Sequence, residues 1–553
     1  MASQVATLER CSRAYKPEAT AAKKLLLAAL ARVPPATAGD LARLHDTLCF
    51  LRAYPDDAAT LDLVISMTAA LRARATRDRR LAAKLLDTGL PGGANVYEYH
   101  FGIARRLARL CPGALSIDWP SFDDQMPIQY VLGNLVARAE VPGLEDEGLT
   151  LEEWFARARP PHLTDLEYFL RVLDRSGLPF PVQESLYDTL KLPARYRLGD
   201  AGSGRAEVAM RKRSLQWQTS ELDRSRFPLT PAIVAPLALP SPLRPTAGQR
   251  VIDIGLRAMA ARRLEIHSLI YANPGDVTLV EGDRGVAVAL IGTRREYRGA
   301  LESLYFALVL KNGVPMAYGP AAACLGTCEM GINLFPEFRG AEAHHFYAQL
   351  MRVLYHALGV RYFFLLPYGM GEDNDEAIDS GAFWFYRKLG FRPTNPEVEE
   401  LARGEEARTL AAPGHRSNRA MLRRLSHTSA CFDLSEGRCR PLDVAKLALR
   451  CSDTIARDHC GRHTDATRAA AGTVAQALGL TRTRAWSAGE RRALGEMAPI
   501  LAPIAALGEW STQEKQALTR AIRAKGATSE LHAARLLAAH LRLAAALHAV
   551  VDA

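Results

Sequence analysis

Residues 331–350, GINLFPEFRGAEAHHFYAQL, combine the residue types of a strand, a tight turn and a helix start. An apolar strand runs through Phe335, a proline and the step Arg339-Gly340 follow it, and a helical pattern then begins. Backbone N–H groups at a helix start are free to bind phosphate, and the helix dipole favours negative charge there. The pattern therefore predicts a phosphate-binding turn, although Glu342 places a carboxylate beside it.

The elements on either side of this corner follow a regular order. Two apolar runs flank Asn312-Gly313, which is the strongest short signal for a β-hairpin, so these runs are predicted to pair. The strand TCEMGINLF precedes a long helix that ends at Gly359, and the buried strand RYFFLLP follows. The central order is therefore helix, hairpin, strand, helix, strand, short helix and strand.

This order resembles that of the GNAT N-acyltransferase superfamily over about residues 250–400. MGINLFPEFRGAEAHHFYAQLMRVLYHALGVRYFFL is similar to the family's central strand, donor-binding turn, long helix and following strand. FWFYRKLGFRP is similar to the family's closing motif. The family's turn has Gln or Arg followed by two spaced small residues, and either register around Arg339 and Gly340 meets only one of these three positions.

The resemblance implies a thioester donor, either acyl-coenzyme A or an acyl-carrier protein. The implied donor-binding residues are Gly331, Ile332, Asn333, Leu334, Phe335, Arg339, Gly340 and Ala341. Because the family's turn pattern is incomplete here, three explanations stay open. The donor is held mainly by its pantetheine arm, as on a carrier protein; Arg339 offsets the charge of Glu342; or the site has been lost.

The resemblance also implies two catalytic residues. Tyr386 would protonate the leaving thiolate, since a phenol keeps its proton at neutral pH. Glu329 would accept the proton of a small-molecule or peptide amine, and His344 and His345 are alternative bases. The alternatives are that Tyr386 is a packed aromatic and that Glu329 is a strand-edge residue in solvent. The predicted function is N-acyl transfer, with a non-catalytic GNAT-fold scaffold or regulatory module as the alternative.

Other residues of reactive type favour structural roles. Cys324 and Cys328 flank a Gly turn and are predicted to be buried. The stretch CSDTIARDHCGRH lacks the two tight ligand pairs that are typical of a zinc site, so no metal is expected. The acidic stretch GEDNDEAID could attract a cationic amine, or it could be a solvated loop leading to a helix that Ser380 caps.

Composition limits the class of protein. The chain has 553 residues, of which 48% are apolar and 24% charged, as is usual for a globular protein of several domains. Its nine cysteines form an odd, scattered set rather than a disulfide framework, which indicates a reducing, cytoplasmic environment. No apolar run has the length of a membrane span, and KKLLLAALAR is interpreted as an amphipathic helix rather than an export signal.

Positive charge is concentrated near the C-terminus. The formal charge of the whole chain is +10, and residues 401–553 hold 20 Arg and 3 Lys against 14 acidic residues. A basic helical surface could bind an acidic carrier protein or RNA, or it could simply be solvated. A nucleic-acid partner is the less favoured of these alternatives.

The expected fold is α+β, with a central GNAT-like mixed sheet that has helices on both faces. Residues 1–227 are predicted to form a helical N-terminal region, and 228–248 a Pro-rich linker. Residues 249–425 are predicted to form the GNAT-like acyltransferase domain, and 426–553 a basic helical C-terminal region.

Overall fold

A computed structural model describes residues 2–35, 37–212, 214–223, 225, 227–340, 342–412 and 414–552. Its α-helices are α1 (Ala2–Cys11), α2 (Pro17–Arg32), α3 (Ala38–Ala53), α4 (Ala58–Arg77), α5 (Arg79–Lys84), α6 (Phe101–Leu110), α7 (Met126–Leu135), α8 (Val141–Leu144), α9 (Leu151–Ala158), α10 (Asp165–Arg175), α11 (Phe180–Thr189), α12 (Leu229–Val234), α13 (Pro245–Ala260), α14 (His267–Ile270), α15 (Ala343–Leu358), α16 (Pro367–Met370), α17 (Asp375–Ser380), α18 (Ala382–Leu389), α19 (Pro396–Ala411), α20 (Arg419–Leu425), α21 (Val444–His459), α22 (His463–Leu478), α23 (Ala488–Leu501), α24 (Thr512–Lys525), α25 (Leu531–Ala538) and α26 (Leu541–Asp552).

The strands are β1 (Ala94–Tyr97), β2 (Leu115–Ile117), β3 (Ala194–Arg197), β4 (Ala272–Glu281), β5 (Val286–Thr293), β6 (Ser303–Lys311), β7 (Val314–Cys324), β8 (Thr327–Met330), β9 (Asn333–Leu334), β10 (Tyr362–Leu365), β11 (Arg392–Pro393) and β12 (Ala430–Asp433). Nine of them form one mixed sheet in the order β11-β12-β10-β8-β7-β6-β5-β4, with β9 paired to β7. Strands β4 to β8 are antiparallel neighbours, whereas β8 and β10 run parallel and are connected through α15. A mixed sheet with many helices agrees with the predicted α+β class.

The hairpin predicted at Asn312-Gly313 is confirmed. Strands β6 and β7 pair with Lys311 opposite Val314, and the two turn residues have φ angles of 51° and 81°. Positive φ at both positions is the pattern of a type I′ turn, which matches the twist of the two strands. The Asn312 side chain also donates to the carbonyl oxygen of Ala53 at 2.9 Å. The hairpin tip therefore contacts the end of α3.

Helices pack on both faces of the nine-stranded sheet. Gly255 of α13 lies against Phe306 of β6 on one face. Tyr305 points to the opposite face, since successive side chains of a strand alternate, and its hydroxyl donates to Asp276 at 3.0 Å. Asp276 also accepts the N–H of Glu530 at 3.1 Å, directly before α25. The C-terminal helices therefore reach the second face.

The N-terminal region is not wholly helical, which corrects the prediction. Strands β1, β2 and β3 form a small antiparallel sheet in the order β1-β3-β2. Each has three or four residues, too few for an alternating pattern to stand out in the sequence. This sheet packs with α6, α10 and α11 around a core of its own.

The Pro-rich segment packs against the long helix of the sheet domain. It contains α12, whose Leu229 and Ile233 are buried. The carbonyl oxygen of Ala235 lies 3.1 Å from Arg352 Nε and 2.9 Å from His356 Nε2, both on α15. These contacts hold the segment along α15.

Three local predictions differ from the structure. Strand β12 lies beyond residue 425, inside the region predicted to be helical, and inserts between β10 and β11. Ser380 ends α17 instead of capping α18, because Gly381 between them has a φ of 69°. The apolar stretch 529–551, whose sequence pattern predicts one helix, forms α25 and α26, since the ring of His540 accepts the N–H of Leu543 at 3.2 Å and begins a new helix.

Helices α25 and α26 have the length and composition of a membrane span only when they are taken together. Of the described helices, none is long and apolar enough to cross a membrane alone. These two pass the test of length and composition only as a pair that bends by 76°.

A buried ionic network joins the sheet to the C-terminal region. Arg298 Nε lies 3.5 Å from a carboxylate oxygen of Glu530, and Arg298 Nη2 lies 3.8 Å from Asp276. Lys525 forms a second ion pair with Glu530. Two cations and two anions are thus enclosed together, and Arg298 also donates to the carbonyl oxygen of Ala527 at 2.8 Å.

Arg298→Ala should lower the free energy of unfolding by about 3 to 5 kcal/mol, because it leaves the buried carboxylate of Asp276 without a cation and Glu530 with Lys525 alone. Arg440→Ala is the control, since Arg440 and Asp552 form an exposed pair at 2.7 Å and such pairs contribute at most about 1 kcal/mol. Urea unfolding followed by circular dichroism measures both. Equal effects of the two substitutions would contradict the role given to the network.

Candidate active site

The central strand leaves its parallel neighbour halfway along. The parallel pairing matches Thr327 with Tyr362 and ends where Glu329 lies opposite Phe364. The chain then continues beside β7 through β9, where Leu334 pairs with Ala317. The continuation therefore stays with β7, and the sheet opens between β9 and β10.

Glycine at position 319 allows this path. A Cβ atom there would overlap the carbonyl oxygen of Gly331, so the bend at Gly331 needs a residue without a side chain on β7. Gly331 is half-buried and Asn333 is exposed, whereas Ile332 and Phe335 are buried. The predicted donor-binding strand thus has some accessible backbone and buried apolar side chains.

The predicted phosphate-binding turn lies at the start of α15. Pro336–Phe338 forms a short 3-10 turn, and Arg339 and Gly340 follow it as exposed residues. Gly340 has a φ of 74°, the left-handed region that favours glycine. Ala341, also predicted to bind the donor, lies outside the described residues. Helix α15 begins two residues later.

The N-terminal region supplies a cation to this turn. Arg13, just after α1, donates to the carbonyl oxygen of Arg339 at 2.8 Å and to that of Glu337 at 3.3 Å. Its guanidinium also packs on the ring of Phe50, 4.7 Å from the ring centre. The described bonds use carbonyl oxygens of the turn, not its N–H groups. Arg13 therefore adds positive charge where a phosphate would bind.

The carboxylate of Glu342 is directed into the protein. Glu342 is buried, with Oε2 3.4 Å from Lys311 Nζ and Oε1 3.1 Å from Arg284. Lys311 is also buried; it donates to the carbonyl oxygen of Arg284 at 2.6 Å and lies 4.7 Å from the ring centre of Tyr54. Burial lowers the pKa of Lys311, and the charge of Glu342 opposes that shift. The negative charge that Glu342 brings to the turn is thus balanced inside the protein.

A second buried pair fixes the residues before the turn. Glu337 pairs with Arg262, and the Arg262 guanidinium lies 3.8 Å from the ring centre of Phe335. Burial raises the pKa of Glu337, but the charges of Arg262 and Arg205 outweigh it and hold the pKa below the usual value. Glu337 is therefore an anion that the protein has already neutralised.

A cavity of about 620 Å³ opens next to this turn. Arg10, Arg13 and Arg43 line it from the N-terminal region, and Pro336 and Glu337 line it from the turn. Arg43 is paired with Glu9 at 2.6 Å. The cavity thus places arginine side chains within reach of a ligand at the start of α15.

Glu329 has the environment expected of a carboxylate base. It is half-buried on β8, and burial and the charge of Glu302 raise its pKa above that of an ordinary glutamate. It lies opposite Ala322 on β7 as well as Phe364 on β10. A raised pKa makes a glutamate a better proton acceptor near neutral pH.

Tyr386 is buried, with 6% of its surface exposed, so it does not open widely to solvent. Burial raises its pKa, and the backbone N–H of Ile332 opposes that rise. Its ring centre lies 5.7 Å from that of Tyr347 and 5.8 Å from that of Phe391. Tyr386 therefore belongs to an aromatic cluster that reaches the backbone of the central strand at the opening.

The two predicted catalytic residues approach the central strand from different faces. Cys328 is close enough to Tyr347, the aromatic neighbour of Tyr386, to contribute to the raised pKa of the Tyr347 phenol. Glu329 follows Cys328, and successive side chains of a strand point to opposite faces. A ligand would contact both Glu329 and Tyr386 only by passing through the opening between β9 and β10.

The structure gives His344 and His345 structural contacts. His344 Nε2 lies 2.9 Å from the carbonyl oxygen of Phe227, and the two rings are in contact. His345 is buried, and burial and the charge of Arg284 lower its pKa. Neither contact supports the alternative that these histidines are bases.

The acidic loop is neutralised by arginines, so it is not a simple attractant for an amine. Asp375 lies 2.8 Å from Arg419 and 3.0 Å from Arg423. Glu376 lies 2.9 Å from Arg339, the predicted donor-binding residue. The loop forms α17, which Asn374 caps by accepting the N–H of Ala377 at 3.1 Å.

The cysteines fit the structural roles predicted for them. All nine are free thiols, and Cys324 and Cys328 are buried. Burial raises the pKa of Cys324 to about 12 and also raises that of Cys328, so neither forms a thiolate nucleophile at neutral pH.

Sequence reasoning missed Arg13 and Lys311. Arg13 is separated from Arg339 by 326 positions and carries no local signal. Lys311 did carry a signal, since a charged residue at the end of an apolar strand needs a buried partner.

Comparison of the chain with protein-family models, curated proteins and solved structures gives no match.

Glu342→Gln should lower the free energy of unfolding by about 3 to 5 kcal/mol, because it leaves the buried ammonium of Lys311 without its carboxylate. The control is Glu376→Gln, which removes an exposed pair with Arg339 and should change stability by at most about 1 kcal/mol. Urea unfolding measures both. Two equal, small effects would mean that Glu342 faces solvent and repels an anionic ligand.

Proposed function

We propose that the sheet domain is a GNAT-like N-acyltransferase that moves an acyl group from a thioester donor to an amine. The observation that carries the proposal is the start of α15, where exposed Gly340 meets Arg13 and the charge of Glu342 is balanced by Lys311. A helix start with added positive charge suits the phosphates of a coenzyme A or pantetheine donor.

The pantetheine arm would lie in the opening between β9 and β10. The half-buried backbone of Gly331 and the exposed residue Asn333 lie there, and they would offer hydrogen bonds to its amide groups. The arginine-lined cavity beside Pro336 would receive the outer phosphates of acyl-coenzyme A. A carrier protein would instead present the same arm from outside, with the basic C-terminal helices as its docking surface.

The reaction would use both faces of the sheet. The amine nitrogen attacks the thioester carbonyl carbon, Glu329 accepts the amine proton, and the C–S bond then breaks. Tyr386 gives its proton to the departing thiolate, which leaves as the thiol. A thioester held in the opening would meet Glu329 from one face and Tyr386 from the other.

A second candidate is a non-catalytic GNAT-fold module with a scaffold or regulatory role. The burial of Tyr386 in an aromatic cluster and the contacts of Arg13 with the turn favour it. In this case the N-terminal region would hold the turn closed, and no donor would bind.

Donor binding separates the two candidates. Calorimetry should detect acetyl-coenzyme A, a longer acyl-coenzyme A or an acyl-carrier protein at one site per chain. Arg13→Ala should weaken coenzyme A binding by about 10- to 100-fold, the value of a charge-assisted hydrogen bond. Arg43→Ala is the matched control, because Arg43 lines the same cavity but pairs with Glu9 and should change affinity less than threefold, on the order of 0.5 kcal/mol.

Binding of none of these donors would exclude the acyltransferase and leave the non-catalytic module. Tighter donor binding by Arg13→Ala would show that Arg13 closes the turn instead of supporting a phosphate.

If Glu329 is the base, kcat/KM should depend on pH. The carboxylate is the active form, so kcat/KM should rise with pH through a pKa above that of an ordinary glutamate. Glu329→Gln should lower kcat/KM by about 10² to 10⁴-fold and remove this rise. The dependence of kcat/KM on pH is measured between about pH 5 and 9. The assay follows the release of coenzyme A from acetyl-coenzyme A in the presence of a panel of primary amines.

Tyr386→Phe should reduce kcat in the same assay and leave donor affinity unchanged. An unaltered kcat in Tyr386→Phe, or an unaltered pH profile in Glu329→Gln, would remove that residue from the mechanism.

A further inference from the structure

A cluster of ligand-type side chains lies far from the opening in the sheet, where helices α6 and α11 meet. His100 caps the start of α6, and Glu184 and Asp188 lie one turn apart on α11. Their facing nitrogen and oxygen atoms all lie within 4.8 Å of one another. Among the described residues, no other group of three or more His, Cys, Asp or Glu side chains has its ligand atoms this close together.

The distances between the three side chains suit a single metal ion that all of them bind. His100 Nε2 lies 2.8 Å from Asp188 Oδ2 and 3.6 Å from Glu184 Oε1. Two ligands of a tetrahedral zinc ion, each at about 2.0 to 2.2 Å, are roughly 3.3 to 3.6 Å apart. Small side-chain movements would therefore bring all three atoms to bonding distance.

The oxygen of Glu184 is a second, independent observation. Glu184 Oε1 is buried and has no hydrogen-bond partner, although buried carboxylate oxygens are nearly always satisfied. It faces His100, and 12% of the Glu184 side chain is exposed. The ion pairs described for Glu184 and Asp188 are both with His100, so two carboxylates share a single imidazole, and the Tyr271 hydroxyl also interacts with the Glu184 side chain.

Neighbouring groups hold the three side chains in place. The second carboxylate oxygen of Asp188 accepts the N–H of Phe101 at 2.8 Å, which leaves Oδ2 directed at His100. Glu265 accepts the backbone N–H of His100 at 2.9 Å. The hydroxyl of Tyr271, at the beginning of the sheet domain, lies 3.5 Å from His100 Nε2. Such outer contacts orient the ligands of metal sites.

We propose that His100, Glu184 and Asp188 bind a divalent transition-metal ion, with Zn²⁺ as the preferred ion, and that this ion links the start of α6 to α11 within the N-terminal region. One imidazole and two carboxylates form a donor set that suits Zn²⁺ better than Mg²⁺. Water would complete the coordination, since the site is partly exposed. The site does not depend on acyl transfer.

Metal binding would change which ring nitrogen of His100 carries the proton. His100 Nδ1 now lies 3.2 Å from the N–H of Gly102, which places the imidazole proton on Nε2 beside Asp188. A metal ion at Nε2 takes the place of that proton; the neutral imidazole then carries its proton on Nδ1, and the hydrogen bond from the Gly102 N–H is lost. Sequence patterns do not indicate this site, because 84 positions separate His100 from Glu184.

The test uses the full chain after removal of metals with a chelator. Calorimetric titration with ZnCl₂ should give one site per chain, and bound Zn²⁺ should raise the thermal unfolding midpoint. Glu184→Gln and Asp188→Asn should each weaken Zn²⁺ binding at least about tenfold and reduce that rise. MgCl₂ should bind far more weakly.

Two variants are controls. Glu372→Gln makes the same chemical change at an exposed pair, where Glu372 lies 2.6 Å from His427, and should keep the affinity. Cys460→Ser removes the exposed thiol beside His459 and His463, and should also keep it. No Zn²⁺ binding by the unaltered chain, or equal affinity in Glu184→Gln, would overturn the proposal.

A spectroscopic measurement on the unaltered chain tests the site even if the variants fail to fold. Co²⁺ in a site of nitrogen and oxygen ligands should give visible absorption bands without the near-ultraviolet band of a thiolate ligand. A thiolate band, or loss of binding in Cys460→Ser, would assign the metal to the cysteines and reject the proposed site.

Discussion

The parallel pairing of β8 with β10 is short, and the candidate site depends on where it stops. Beyond Glu329 and Phe364 the central strand bends at Gly331 and stays with β7. Beyond this point β10 no longer pairs with the central strand, and the same bend leads the chain to the start of α15. The position of the opening relative to the helix start therefore follows from backbone geometry more than from any single side chain.

Buried ion pairs fix the chain around this opening. Lys311 and Glu342 join the tip of the β6–β7 hairpin to the first residues of α15, and Arg262 holds Glu337 before the turn. Each pair encloses charge that would otherwise repel an anionic ligand or destabilise the fold. Arg13 then adds a cation from a distant part of the chain. The missing glycines of the turn are thus accompanied by a different charge arrangement.

Local signals allowed much of the sheet domain to be predicted. The type I′ turn at Asn312-Gly313 needs positive φ angles, and Gly359 ends α15 in the left-handed region, so both follow from residue type. Strand β12 has only four residues, and its place between β10 and β11 depends on long-range pairing. The contacts of Arg13 likewise form only in the folded chain. Turns and helix ends were therefore predictable from residue type, and contacts supplied by distant parts of the chain were not.

We propose that a thioester donor binds between the opening and the start of α15. Hydrogen–deuterium exchange with and without acetyl-coenzyme A tests this binding site. Bound acetyl-coenzyme A should slow amide exchange in peptides that cover residues 329–345 and residues around Arg13, with no change in β1 to β3. Unchanged exchange in both peptides at saturating acetyl-coenzyme A, or protection confined to other parts of the chain, would contradict it.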